Sequence, residues 1–187
     1  MDLKETPVKK NYVFKGHVVN VRTDEAQLPD GRIVYREVVE HPGGVAIAME
    51  DGEGKFFLVS QWRYGQGRVI KEFPAGKKEI GEDPLTTAKR EIMEETGYEG
   101  EGFVHLGQMV PTGAYDSELI DLYYAKQGRL VGQHLDADEN LRLSKMTLDE
   151  IIDAALDGQI DDGKTVVCAF LIKERKTRGL LEADKTL

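Results

Sequence analysis

Four glutamates lie on one short segment of the chain, GKKEIGEDPLTTAKREIMEETGY, which spans residues 76–98. They are Glu82, Glu91, Glu94 and Glu95, with Arg90 among them. One guanidinium does not neutralise four carboxylates, and like charges four residues apart on a helix repel each other. Hard divalent cations such as Mg²⁺ suit a set of oxygen ligands of this kind. A solvated acidic helix face is the alternative interpretation, because charge runs usually confer only solubility.

The glutamates are predicted to lie on a helix. Asp83 is a suitable N-cap, Pro84 suits the first helical position and Gly97 is a natural stop. The helix should therefore run from about Pro84 to Thr96. Three apolar residues form one stripe along it: Leu85, Ala88 and Ile92. The stripe should face a core, and the carboxylates should share an adjacent edge.

Composition limits the classes of protein to consider. The chain has 187 residues, which suits one domain with a substantial core. No apolar run approaches the roughly 18 residues that cross a bilayer. The formal net charge of −9 disfavours a nucleic-acid partner. A lone cysteine, Cys168, and an N-terminus without an apolar stretch favour a cytoplasmic protein with no membrane partner.

Segments on either side of the helix predict strands. YVFKGHVVNVR, RIVYREVVE and VAIAM, separated by the turns LPDG and HPGG, favour two consecutive antiparallel hairpins. FFLVSQWRY, FVHLGQM and ELIDLYYAKQ favour later strands, whereas LDEIIDAALDG and KTVVCAFLIKERK carry apolar residues at helical spacing. Both chain ends are expected to be loosely held. The pattern predicts a layered α/β or α+β domain.

The glutamate-rich segment matches a specific spacing, G-x5-E-x7-R-E-U-x-E-E-x-G-U, where U is a bulky apolar residue. The matching residues are Gly76, Glu82, Arg90, Glu91, Ile92, Glu94, Glu95, Gly97 and Tyr98. Its seven fixed positions should match by chance on the order of once per hundred thousand chains. The segment resembles the Nudix box, the signature of the Nudix hydrolase family. Tyr98 departs mildly from the usual aliphatic residue, and its ring can still fill an apolar pocket.

The resemblance implies an α/β fold, a Nudix-type α/β/α sandwich with a mixed central sheet and an N-terminal antiparallel sheet. It also implies Mg²⁺ as the cofactor, for which Mn²⁺ can substitute. By the match, the metal ligands would be Glu91, Glu95, Glu94 and the carbonyl of Ala75. Glu82 and Arg90 would mainly orient the site.

Further segments are similar to the branch that hydrolyses ADP-ribose and other nucleoside diphosphate sugars: REVVEHPGGVAIA, VSQWRY, EFPAGK and IDDGKT. This similarity implies three substrate-binding residues: Arg63, Arg36 and Glu118. ADP-ribose members carry a second proline in a segment like PSPGFTDE, and Gly113 stands there in PTGAYDSE. The branch is therefore indicated, and the sugar nucleotide is not.

Such enzymes commonly place a catalytic glutamate on a late loop. In LDADENL the best match is Glu139, with Asp136 and Asp138 as fallback candidates. Glu82 and Glu94 are the competing general bases. A carboxylate on a loop can approach the reacting water after the substrate binds.

The predicted function is Mg²⁺-dependent hydrolysis of the pyrophosphate bond of an ADP-ribose or GDP-mannose type of substrate. The alternatives are a non-catalytic nucleotide-sugar-binding module, or a hydrolase of dinucleoside polyphosphates or coenzyme A derivatives. One domain is expected over residues 1–187, with an N-terminal sheet over about 1–42 and a core over about 43–175. The resemblance implies a homodimer in which the N-terminal sheet is exchanged.

Overall fold

The structure, a computed structural model, describes residues 2–135 and 139–181. Its backbone contacts divide the chain into two units. The first unit comprises Met1–Gly43 and Val110–Leu119, and the second comprises Gly44–Met109 and Ile120–Leu187. Within the described residues, no helix is long and apolar enough to span a membrane.

The first unit contains a three-stranded antiparallel sheet. Its strands are β1 (Thr6–Lys15), β2 (Asn20–Gln27) and β3 (Ile33–Glu40), in the order β1-β2-β3. The predicted LPDG turn joins β2 to β3, and Gly31 provides the positive φ of 90° that this turn requires. β1 is exposed along its whole length, so this sheet has an open edge.

The second unit is built on a seven-stranded mixed sheet. Its strands are β4 (Gly44–Glu50), β5 (Lys55–Arg63), β6 (Arg68–Glu72), β7 (Ala75–Lys77), β8 (Tyr98–Met109), β9 (Ile120–Leu130) and β10 (Leu141–Thr147). The main order is β10-β5-β4-β9-β8, while β6 pairs with β5 and β7 pairs with β4. β4 and β9 are parallel, and the other pairs are antiparallel.

Three helices cover the two faces of this mixed sheet. They are α1 (Pro84–Thr96), α2 (Leu148–Leu156) and α3 (Gly163–Thr177). Ala88 and Ile92 of α1 pack in one apolar cluster with Val45 and Ile47. On the other face, Ile151 of α2 and Ile172 of α3 lie in a second cluster with Phe56 and Leu58. The predicted α/β/α sandwich with a separate N-terminal antiparallel sheet is confirmed.

Two sequence expectations are wrong. The HPGG turn does not close a hairpin, because β3 and β4 belong to different sheets. β4 is buried on both faces and pairs with β9, as a continuous apolar run favours. The N-terminus is not loosely held, because β1 begins at Thr6. Near the other end, the helix predicted from KTVVCAFLIKERK is confirmed as α3, Gly163–Thr177.

Candidate active site

Helix α1 has the predicted bounds, Pro84–Thr96. The Asp83 carboxylate caps it by accepting hydrogen bonds from the amides of Leu85 and Thr86, each at 3.1 Å. Gly97 ends it in the left-handed conformation, with φ of 79°. Ala88 and Ile92 of the apolar stripe are fully buried against the sheet and Leu85 is partly buried, so the acidic edge has a fixed orientation.

Arg90 binds three of the four glutamates. Its Nη1 donates to Glu91 Oε1 at 2.8 Å and to Glu94 Oε2 at 3.0 Å, and its Nε and Nη2 donate to the carboxylate of Glu82. Arg90 therefore holds the carboxylates together on one edge of α1 and compensates part of their charge.

Gly76 makes room for one of these carboxylates. A Cβ placed on Gly76 would lie only 1.8 Å from the carboxyl carbon of Glu91. No side chain fits there, so glycine is required for the carboxylate to lie against β7. β7 in turn pairs with β4, with Gly76 opposite Val45. The central sheet thus supports the floor of the acidic cluster.

Glu95 is the most enclosed of the four glutamates, with 1% of its surface exposed. Its Oε2 accepts a hydrogen bond from the amide of Ala75 at 3.2 Å. Among the described residues, no cation lies within 4.0 Å of its carboxylate. A buried carboxylate without an ion pair is costly, so a proton or an external cation must compensate its charge.

The pKa values of these glutamates diverge. Burial raises the pKa of Glu91 to about 7, against the opposing charge of Arg90. Burial, and then the charges of Glu91 and Glu139, raise the pKa of Glu95 to about 8. The Arg90 hydrogen bonds lower the pKa of Glu82 to about 2, which makes Glu82 a poor acceptor for a proton at neutral pH.

A cavity of about 610 Å³ opens beside the acidic edge. Arg90 and Glu91 line it from α1, Arg63 and Trp62 from the end of β5, and Glu139 from the loop before β10. With Gly76 of β7, the cavity therefore brings together residues from four separate segments. Cationic and anionic side chains both face it, which suits a ligand made of phosphate and metal.

Arg63 is fixed by a buried partner. Its Nε and Nη2 donate to the Glu72 carboxylate at 2.7 and 2.8 Å, and the Nζ of Lys164 donates to the same carboxylate. Burial opposes ionisation of Arg63, but Glu72 raises its pKa above the ordinary value, so the guanidinium stays charged. Such a bidentate pair sets the plane of the guanidinium.

The donor set on α1 suits a divalent metal ion. Carboxylate oxygens are preferred by hard cations, and the carboxylate of Glu95, which is buried and has no ion pair among the described residues, requires positive charge nearby. Within residues 2–135 and 139–181, no three Asp, Glu, His or Cys side chains are already arranged to hold one ion. Arg90 binds oxygens of Glu91 and Glu94, so those side chains would have to exchange Arg90 for the ion.

The other predicted site residues lie in the first unit or outside the described residues. Arg36 forms a bidentate pair with Glu5, at 3.0 and 2.7 Å. Glu118 lies 3.2 Å from His41 Nδ1. Asp136 and Asp138 lie outside the described residues. The roles of these residues, and that of the Ala75 carbonyl, remain predictions.

Sequence reasoning missed the partners of Arg63. Glu72 and Lys164 were visible only as parts of the EFPAGK and IDDGKT segments, and they lie 92 positions apart. Trp62 at the cavity was also assigned no role. The only available signal was a charged residue, Glu72, at the end of a strand that is otherwise apolar on its buried side.

Comparisons with known proteins agree with this geometry. The NUDIX domain model matches residues 40–168. The chain is 40% identical over 166 residues to the methanol dehydrogenase activator of Bacillus methanolicus, covering 88% of this chain and 90% of that protein. It is 32% identical over 185 residues to the ADP-ribose pyrophosphatase of Bacillus subtilis (strain 168), covering 98% of each.

A solved structure shares the fold. The crystal structure of an ADP compounds hydrolase superposes with a TM-score of 0.82 at 19% identity, covering 97% of this chain and all of that one. The family model spans well over half of the chain, and the relatives align along nearly their whole length. The chain belongs to the Nudix family.

Proposed function

We propose that this protein hydrolyses the pyrophosphate bond of a nucleoside diphosphate sugar, of the ADP-ribose or GDP-mannose type, to a nucleoside monophosphate and a sugar phosphate. The observation that carries the proposal is the cavity in which Glu91 of α1 faces Arg63 and Glu139. Similarity to an ADP-ribose pyrophosphatase over 98% of both chains supports the substrate class. Because Gly113 stands where ADP-ribose members have proline, the base and the sugar are left open.

Each group at the site has a task in this reaction. Arg63, held by Glu72, binds the diphosphate through the side of its guanidinium that Glu72 does not use. Glu91 and Glu95, with Glu94 and the Ala75 carbonyl, would hold Mg²⁺ or Mn²⁺, while Glu82 and Arg90 orient them. When bound, such a cation offsets diphosphate charge, polarises the phosphorus and acidifies a water.

Glu139 is proposed as the group that positions or deprotonates the attacking water. It lines the same cavity as Glu91, and its charge contributes to the raised pKa of Glu91 and Glu95. Glu94 remains the competing base, because Glu82 already accepts hydrogen bonds from Arg90 and Thr87. The low pKa of Glu82 also argues against it.

The experiment that tests the proposal is product analysis in ¹⁸O water with Mg²⁺. The panel contains ADP-ribose, GDP-mannose, ADP-glucose, UDP-glucose, a dinucleoside polyphosphate and coenzyme A. We expect cleavage of at least one nucleoside diphosphate sugar, with one ¹⁸O in one of the two phosphate products. Binding without turnover would favour the non-catalytic module, and exclusive turnover of the last two would favour those alternatives.

The active protein is also proposed to be a homodimer that pairs through the first unit. β1 is exposed throughout, and an apolar groove of about 340 Å³ is lined by Val13, Val21, Val38, Val39 and Tyr115. A second copy would cover these side chains. Light scattering at micromolar concentration should give twice 20.9 kDa, and Val13→Lys should shift it towards the monomer. Val167→Lys, an exposed site on α3, is the control, and a 20.9 kDa wild type would contradict the dimer.

A second candidate function is activation of an alcohol dehydrogenase. It is favoured by one observation, the 40% identity over 88% of the chain to a methanol dehydrogenase activator. The test is the turnover of a purified methanol dehydrogenase with and without this protein. Glu95→Gln separates the routes: loss of activation would tie it to hydrolysis, and retained activation would indicate binding alone. No stimulation by the wild type would rule the candidate out.

A further inference from the structure

Four charged side chains form a compact cluster. Arg63 faces the cavity, and Glu72, Lys164 and Asp162 lie behind it. Glu72 is 1% exposed, whereas Arg63 is 39% and Lys164 12% exposed at the side chain. Lys164 Nζ donates to Glu72 Oε2 and, at 2.8 Å, to Asp162 Oδ1. Two cations thus share one enclosed carboxylate.

The second cation changes what Arg63 can do. If Arg63 were the only partner of Glu72, the bidentate pair would be neutral as a unit and would attract a phosphate weakly. Lys164 adds a positive charge to the same oxygen, so Arg63 keeps an effective charge towards the cavity. Asp162 opposes this effect, because it binds the same Lys164 Nζ, while its other oxygen accepts the amide and hydroxyl of Thr165 at the start of α3.

The cluster is also rigid. Thr165 Oγ1 accepts the amide of Phe73 at 2.8 Å, so the start of α3 is tied to the residue that follows Glu72. Thr165 is fully buried. Lys164 therefore has little freedom to leave Glu72, and Glu72 has little freedom to release Arg63. Loss of the lysine would let the carboxylate and the guanidinium move together.

The geometry points to Lys164 as a positioning residue of the active site. It acts through Glu72, fixing the guanidinium of Arg63 and leaving Nη1, the nitrogen that does not bind Glu72, for the diphosphate of the substrate. Lys164 itself touches neither substrate nor reacting atoms. This role rests on the proposed function, and it extends the site to the first turn of α3.

The first test is steady-state kinetics of Lys164→Met on the best nucleoside diphosphate sugar. A diphosphate contact is made in the ground state and the transition state alike, so KM should rise about tenfold with kcat within about twofold. Lys164→Arg should stay near wild type. Lys173→Met is the matched control, because it removes a lysine that pairs with Asp149 on the exposed face of the same helix. An unchanged KM in a folded Lys164→Met protein overturns the role.

The second test separates positioning from a merely structural effect. In an Arg63→Gln background, Lys164→Met should have almost no further effect on KM, because its effect passes through Arg63. A full tenfold loss in that background would overturn the inference. Circular dichroism and thermal melting verify folding, and Lys164→Gln, which keeps a donor but removes the charge, replaces Lys164→Met if that variant does not fold.

Binding of adenosine 5′-(α,β-methylene)diphosphate, measured by calorimetry, gives a readout that needs no turnover. Lys164→Met should bind it about tenfold more weakly than wild type and Lys173→Met equally well, since tenfold in Kd is a plausible share of a charge-assisted contact. If wild type binds the analogue but hydrolyses no nucleoside diphosphate sugar, the proposed reaction is rejected. The role of Lys164 is then tested by the difference in Kd alone. If wild type hydrolyses and Lys164→Met is unchanged, only the inference fails. Wild type that neither hydrolyses nor binds overturns both.

Discussion

Glu72 and Glu95 are both 1% exposed, but they differ in how their charge is compensated. Glu72 is bound by Arg63 and Lys164, so its charge is compensated by the protein itself. Glu95 accepts one backbone amide, and among the described residues it forms no ion pair. The fold thus compensates the charge of Glu72 with its own side chains. The charge of Glu95 must be compensated by a proton or by a cation that is not part of the chain.

This difference assigns different tasks to two equally buried residues. A carboxylate whose partners lie within the fold can orient an arginine and add stability. A carboxylate buried without a cation stays protonated or binds a cation. The raised pKa of Glu95, about 8, reflects this cost of burying the charged form. Proteins rarely keep such a group unless a ligand needs it. Substitution of Glu95 is therefore expected to have the largest effect on function.

The largest expected effect is on turnover in Glu95→Gln. The amide keeps the shape but removes a ligand charge, so kcat should fall about a thousandfold, or about 4 kcal/mol in barrier. Glu174→Gln, an exposed glutamate paired with Arg178 on α3, is the control and should match wild type. A Glu95→Gln enzyme within about threefold of wild type would refute the assignment.

Glu139→Gln should have the next largest effect. If Glu139 positions or deprotonates the water, kcat should fall at least about a hundredfold with little change in KM. Glu82→Gln should act through the geometry of the Arg90 contacts and through stability instead. If Glu139→Gln is nearly silent while Glu94→Gln abolishes turnover in a folded protein, the base lies on α1.

The free energy of unfolding should respond more strongly to substitution of Glu72 than to substitution of Glu95, the reverse of the order expected for turnover. Glu72→Gln leaves Arg63 and Lys164 facing a neutral amide, which should lower the free energy of unfolding by about 2 to 3 kcal/mol. Glu95→Gln in metal-free protein removes an uncompensated charge and should be neutral or slightly stabilising. Urea unfolding in the presence of a chelator measures both. Equal destabilisation of the two variants would remove the distinction between them.

A smaller effect is expected on the pH dependence of metal-induced stabilisation. Folded-state pKa values of about 7 and 8 for Glu91 and Glu95 lie above the ordinary value of 4.5. Ionising them costs native stability progressively as pH rises from about 4.5 to about 8, and a metal ion must displace their protons at any pH below these folded-state pKa values. The rise in Tm caused by Mg²⁺ should therefore be a few degrees larger at pH 8.5 than at pH 6, as measured by calorimetry. A larger rise at pH 6 would contradict the pKa assignment.

The sequence predicted α1 to the residue because its start and stop signals are local. Asp83, Pro84 and Gly97 set the bounds through their own backbone preferences, and the apolar stripe faces the core as expected. β4 was predicted as a strand, but its pairing was predicted wrongly, because its partner β9 lies more than 70 residues later in the chain. Short turn signals such as HPGG do not distinguish a hairpin from a connection between two sheets.

The candidate site was predictable to the same degree. The box residues could be read from their spacing, whereas the Glu72–Lys164 contact joins positions far apart in the chain and follows only from the packing of α3 against the end of β6. The requirement for glycine at position 76 also became explicable only when Glu91 was seen to lie against it. Residues in local motifs could be predicted from the sequence, whereas contacts between residues distant in the chain could not.

The most direct test of the account is hydrolysis of the best nucleoside diphosphate sugar by metal-depleted protein, followed by titration with Mg²⁺. We expect no turnover in excess chelator and recovery with Mg²⁺ or Mn²⁺ in wild type, but little recovery in Glu95→Gln. Undiminished hydrolysis by the wild type in excess chelator would contradict the claim that the α1 carboxylates work by holding a divalent cation.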